Sequence, residues 1–198
     1  WDLAFSLTAD GDVLPASPRE MIEDGAHNAV PVILGSNSEE MSFFFPPGVV
    51  NTCLDYVATL ELILPDHADD ILERYPCYDG DLPHDAFIRA TTDLVFTCPA
   101  RRAARALFAG QEAPVFRYHF RDRNNYGAGL AMGAYHGSEL FYLFDKLDDV
   151  PGYLPSDGEH ALGALMRASW AALARDGSPA VADAPRWAPF DDTDPFLV

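Results

Sequence analysis

Lysine is almost missing from this chain: Lys146 stands alone, and the other 12 basic residues are arginines. Bases of either kind are scarce, 13 against 31 acidic residues, which leaves a formal charge of −18 over 198 residues. A surplus of that size excludes non-specific nucleic-acid binding, because both partners would be anionic. It equally disfavours an anionic membrane surface. No apolar run approaches the ~20 residues needed to span a bilayer. Cysteine is sparse too: Cys53, Cys77 and Cys98 form an odd set without a C-x-x-C pair. Neither they nor the histidines show ligand spacing, so neither a metal nor another cofactor is expected. Internal repeats, low-complexity tracts and a linker long enough to divide the chain are absent as well.

What is present is enough for a core. Hydrophobic residues make up 48% and aromatics 12%, far above a disordered acidic tail. The acids are 22 Asp and 9 Glu. Such a charge keeps a chain soluble at the cost of self-repulsion, which salt relieves. That fits a secreted, periplasmic or salt-tolerant setting, and fits as well a genome that simply prefers Arg and Ala. The sequence starts at Trp1 with no signal peptide, so it begins inside something longer or after processing, and localisation cannot be read from it. Cys53 and Cys77 flank an apolar, helical-looking segment. A bridge between them, with the oxidising compartment it implies, and a pair of buried free thiols are both open.

Local signals give an order of elements. Asp10-Gly11 marks a turn, and Ser17 before Pro18 caps a short helix over Pro18–Asp24 that Gly25 stops. Residues 29–34 (AVPVIL) read as a strand buried on both faces and ended by Gly35. Glu39 and Glu40 follow it, outside a strand's carboxyl end, where α/β sheets hold their sites. Residues 51–75 read as two helices parted near Pro65, residues 84–97 as another, and Pro99 opens one that Gly110 closes. Residues 114–121 alternate as a strand with one aromatic face and with His119 on the other, more polar one. Residues 122–135 carry Gly and Asn breakers and read as a loop leading to His136. Ser156 and Glu159 have capping-box spacing at the head of a long helix closed by Gly177; an extended, Pro-rich tail follows. Two strands are too few to complete an α/β sheet, so partner strands are expected elsewhere.

Five segments, in order, carry a resemblance: DGDVLPASP, VPVILGSNSEEMSFF, TTDLVFTCPARRAARAL, YHGSELFYLF and SWAALARDGSPAVADAPRWAPF. Together they resemble the C-terminal part of the type-B carboxylesterase and cholinesterase family. The resemblance implies that residues 1–198 are the C-terminal portion of a single α/β-hydrolase domain: the last strands of a mixed sheet with flanking helices, incomplete without the N-terminal part. Carried over position by position, Glu40 matches the acid of the family's Ser-Glu-His triad, Glu39 the acidic position beside it, and His136 the triad histidine. Met41 stands where the family has glycine. A serine hydroxyl attacks only once a base takes its proton; an imidazole is that base near neutral pH, and a buried carboxylate orients it.

The nucleophile is not in this chain. No serine lies in a G-x-S-x-G elbow, and the Gly-rich oxyanion segment is absent too. By the resemblance both belong to an N-terminal portion, the partner this chain would need, and the 198 residues alone would be inactive. The expected substrate is a small neutral or cationic ester. Around the pair, Glu139 is expected to hold the histidine loop, Tyr135 and Phe43 are pocket candidates, core packing is the competing account of Phe43-Phe44-Phe45, and Glu39 is expected as a solvated neighbour. Arg101, Arg102 and Arg105 read as a solvated helix face or as partners for the many Asp. The other class of function is a non-catalytic, cholinesterase-like protein-binding module, for which the Glu40–His136 pair would have no use.

Overall fold

Strands β1 (Val32–Asn37) and β2 (Val115–Phe120) pair in parallel, in register from Val32 opposite Val115 to Asn37 opposite Phe120. The structure, a computed structural model, describes residues 8–78, 82–123, 127–191 and 193–196. The expected start at Trp1, residues 124–126 of the expected loop and the end of the tail lie outside those residues. Parallel neighbours cannot be joined by a tight turn, and residues 38–114 form the crossover. β1 runs to Asn37, three residues past Leu34, where the strand was expected to end before Gly35. That glycine does not terminate the strand; it makes room, since a Cβ there would lie 2.2 Å from the ring of Tyr118 on β2.

The helices follow their caps. α1 (Pro18–Glu23) starts at Ser17, whose hydroxyl and Glu20 form a capping box. α2 (Cys53–Ile63) starts on the same reciprocal pair, Thr52 and Asp55, and α3 (Ala68–Arg74) follows. α4 (Pro83–Thr92) and α5 (Cys98–Gly110) are not separate helices but one run, joined by a π-helical turn over Asp93–Thr97. Pro99 comes just after that turn, within the run, and does not open a separate helix as expected. Gly127–Met132 forms a short helix, α6, inside the stretch read as loop. α7 (Ser138–Leu143) follows, and α8 (Asp157–Asp176) runs from the Ser156–Glu159 capping box to Gly177 at φ 74°.

Three apolar clusters hold these pieces. Tyr56, Leu60, Phe87 and Ile88 pack with Met41 beneath the helices of the crossover, where Cys53 and Cys77 are joined with their Cα atoms 5.6 Å apart. Phe120, Ala134, Tyr142 and Met166 fill the space under α7 and α8. Ala104, Leu107, Val115 and Phe190 back the sheet. The tail covers the outer edge of β2: the Phe190 N–H donates to the Val115 carbonyl at 2.6 Å and the Trp187 indole to that of Arg117 at 2.8 Å. Arg117 is buried against Asp194, so the more polar face of β2 is covered by the tail and carries an ion pair. Asp194 also pairs with Arg101.

Candidate active site

Two loops meet at the carboxyl ends of the strands. The first follows β1 directly, where Glu40 opens a 3-10 turn over Glu40–Phe43 and is itself buried. The second precedes α7 and carries His136, whose imidazole is about half exposed. His136 Nδ1 and Glu40 Oε2 are 2.7 Å apart. The other carboxylate oxygen, Oε1, accepts the Asn37 N–H at 2.7 Å. With Nδ1 held by the carboxylate, Nε2 is the ring nitrogen left to exchange a proton with a reacting group.

The electrostatics of Glu40 are opposed. Burial pushes its carboxyl above the usual range, the Asn37 N–H and His136 pull it down, and the nearby Glu139 carboxylate pushes it up; the balance is raised. Hydrogen bonds to the charged form therefore offset only part of its desolvation.

The loops are stitched together by contacts between residues some 80 to 100 positions apart. The Glu39 N–H donates to the Ala134 carbonyl at 3.1 Å and the Ala134 N–H to the Glu39 carboxylate at 3.0 Å. The same carboxylate takes Arg123 and the Ser38 hydroxyl. Glu39 is thus an engaged structural acid and not the solvated neighbour expected. Gly133 is needed beside it, with φ 67° and no space for a Cβ, which would lie 2.8 Å from the Glu39 carboxyl carbon. The Ser42 hydroxyl lies 2.6 Å from the carbonyls of both Glu39 and Met132. Asn37 does most: fully buried, it gives Nδ2 to the Tyr135 carbonyl at 2.9 Å and to the Glu139 carboxylate. Glu139 thereby contacts β1 and not His136 three residues before it. Gly137, at φ 81°, turns the chain from His136 into α7.

Aromatic rings surround the imidazole. Phe96, Phe44 and Phe43 have ring centroids 5.0, 5.5 and 6.4 Å from it. Tyr135 stacks on Phe43 at 6.2 Å, and burial pushes its phenol above the ordinary value. Phe43 and Phe44 are exposed rather than core, while Phe45 packs on Phe87. Met41 takes the glycine position with no left-handed backbone; its side chain is buried and its N–H donates to the Thr92 hydroxyl at 3.2 Å. Sequence reasoning missed Asn37, Ser42, Thr92 and Phe96. The one local signal was a polar Asn-Ser pair closing an apolar strand; Phe96 is aimed by the π-helical turn, which has no such signal. Among the described residues no group of three or more His, Cys, Asp and Glu is arranged to hold a metal ion, and no helix is long and apolar enough to cross a membrane.

Comparison with known proteins bears on the chain as a whole. The profile of the carboxylesterase family matches residues 2–198. The chain is 26% identical to the pyrethroid hydrolase Ces2e of Rattus norvegicus, over 98% of its own length and 37% of that protein. It is 27% identical to the cocaine esterase of Homo sapiens, over 95% of its length and 36% of that protein. In three dimensions it resembles a PNB esterase and a thermophilic PNB esterase, each with a TM-score of 0.72, at 26% and 27% identity, covering 94% and 95% of this chain and 37% and 38% of those. The fold is thus part of an α/β-hydrolase, and the chain spans little more than a third of the relatives it matches.

Proposed function

Since the chain belongs to the carboxylesterase family, we propose that it supplies the carboxylate and the base of a Ser-Glu-His ester hydrolase, with residues 1–198 forming the C-terminal portion of a single catalytic domain. The observation that carries this reading is the 2.7 Å contact between His136 Nδ1 and the buried Glu40 carboxylate. Glu40 holds the imidazole with its proton on Nδ1, so that Nε2 accepts the proton of a serine hydroxyl as it attacks an ester carbonyl. The imidazolium then formed is stabilised by Glu40 and returns the proton to the leaving alcohol. Water repeats the sequence on the acyl-enzyme. The serine and the oxyanion donors come from an N-terminal portion. Phe43, Phe44 and Phe96 give the histidine an apolar surround suited to the uncharged part of a small ester.

The test is to label the parent protein, or this chain mixed with its N-terminal portion, with an organophosphonate. Label is expected on a serine outside these 198 residues, with at least a thousandfold slower reaction in His136→Ala. The 198 residues alone are expected to leave p-nitrophenyl acetate untouched. Enzyme-like turnover by the isolated chain, abolished by His136→Ala, would overturn the proposal, as would labelling indifferent to His136. A parent protein with the serine replaced would instead make this a protein-binding module.

A further inference from the structure

Beside the carboxyl ends of both strands lies a cavity of about 590 Å³ that neither Glu40 nor His136 lines. Arg74, Arg89, Arg121 and Arg123 line it together with Glu39 and Asp93. A third of the chain's arginines therefore share one wall in a protein whose net charge is −18. Like charges gathered this way repel, and 31 acidic residues were available to pair with them.

The pairing is incomplete. Of the four, Arg123 alone has a carboxylate partner among the described residues, and that partner is Glu39. Asp93 is engaged by the Tyr75 hydroxyl at 2.5 Å. Arg74 reaches the Tyr75 phenol, but neither it nor Arg89 nor Arg121, all three exposed at the cavity, has a carboxylate within 4 Å among the described residues. His119 on the same wall is held below its ordinary value, first by burial and then by the Arg121 charge, so at neutral pH it adds no positive charge but offers a neutral hydrogen-bonding ring. A guanidinium is a rigid fork of donors that matches the oxygens of phosphate and carboxylate, and carboxyl ends of strands are where α/β sheets take ligands.

We propose that this cavity binds a small oxyanion of two or more negative charges, a phosphate or a polycarboxylate, between Arg74, Arg89 and Arg121. The proposal does not rest on the ester-hydrolase reading: neither Glu40 nor His136 lines the cavity, although Glu39 and Arg123, which help to hold the loops of that site, do. It gives a strongly acidic protein one place to recognise an acidic metabolite or an acidic group of a larger ligand.

Titration calorimetry of the full chain at low ionic strength tests it, with pyrophosphate and citrate as probes. Each is expected to bind in a 1:1 ratio, more weakly as salt is added, and the tighter of the two identifies the source of the chemistry. The double variant Arg89→Gln/Arg121→Gln should bind at least tenfold more weakly, while Arg19→Gln, on α1 and paired with Glu23, should bind as the wild type does. Absence of saturable binding, or binding undiminished in the double variant, would overturn the proposal. Phenylglyoxal modification followed by peptide mapping decides even if the variant misfolds: pyrophosphate should protect Arg89 and Arg121 in the wild-type chain, and equal modification with and without it would count against the site.

Discussion

Burial raises the Glu40 carboxyl above its ordinary range despite the Asn37 N–H and His136. A carboxyl raised in the folded state favours folding fully below its ordinary value of 4.5. It loses that contribution as the pH climbs through the raised value. Once ionised, the group therefore costs stability, which a catalytic role would explain. Glu40→Gln is accordingly expected to raise the urea midpoint at pH 7 and to lose that advantage in acid. On the proposed reading, the same change in the whole protein should cut ester turnover by roughly 10⁴-fold, because an amide donor would hold the imidazole in the wrong tautomer. Asn37→Ala is the converse: it strips partners from Glu139 and the Tyr135 carbonyl, so it should cost about 1–3 kcal/mol in urea unfolding. Glu40 and His136 were legible as a pair only through the resemblance of the segments that carry them; their own neighbours left His136 a loop histidine. The engagement of Glu39 was not, because Arg123 and Ala134 lie more than 80 positions away in sequence.

Element boundaries show the same division between near and far. The cap at Ser156 was legible because both halves of its box fall within four residues, and that at Ser17 because proline follows it, whereas the equally local Thr52–Asp55 box went unread. The end of β1 was not, since Gly35 serves a ring on another strand and not its own turn. Gly35→Ala should therefore cost about 1–3 kcal/mol through overpacking of Tyr118, read as a lower urea midpoint. The joined α4–α5 run escaped notice because a first-turn proline looks the same whether a helix begins there or continues. The Cys53–Cys77 link spans 24 positions, so it removes loop entropy from the unfolded chain. Replacing both cysteines by serine should cost about 3 kcal/mol, measured by urea unfolding beside the wild type under non-reducing conditions.

For the whole molecule, the two-stranded sheet matches the shortage of strand signals, and the comparisons make the chain part of an α/β-hydrolase. Large apolar side chains such as Leu54, Leu62, Leu130 and Phe144 face solvent. The same molecule carries −18, and among the described residues eight acidic side chains have a basic or histidine partner within 4 Å. Unpaired acids repel one another throughout the folded chain and more weakly in the expanded unfolded one. Salt should therefore stabilise this protein, against the usual weakening of surface pairs. Raising sodium chloride from about 0.01 M to about 1 M shrinks the screening length from about 30 Å to about 3 Å. The urea midpoint is expected to rise across that range, urea being chosen because it carries no charge. As repulsion between molecules is screened too, sedimentation should show the isolated chain associating through its exposed apolar faces at high salt. A midpoint that falls with salt would mean that paired charges, and not the acidic surplus, dominate the electrostatics of this fold.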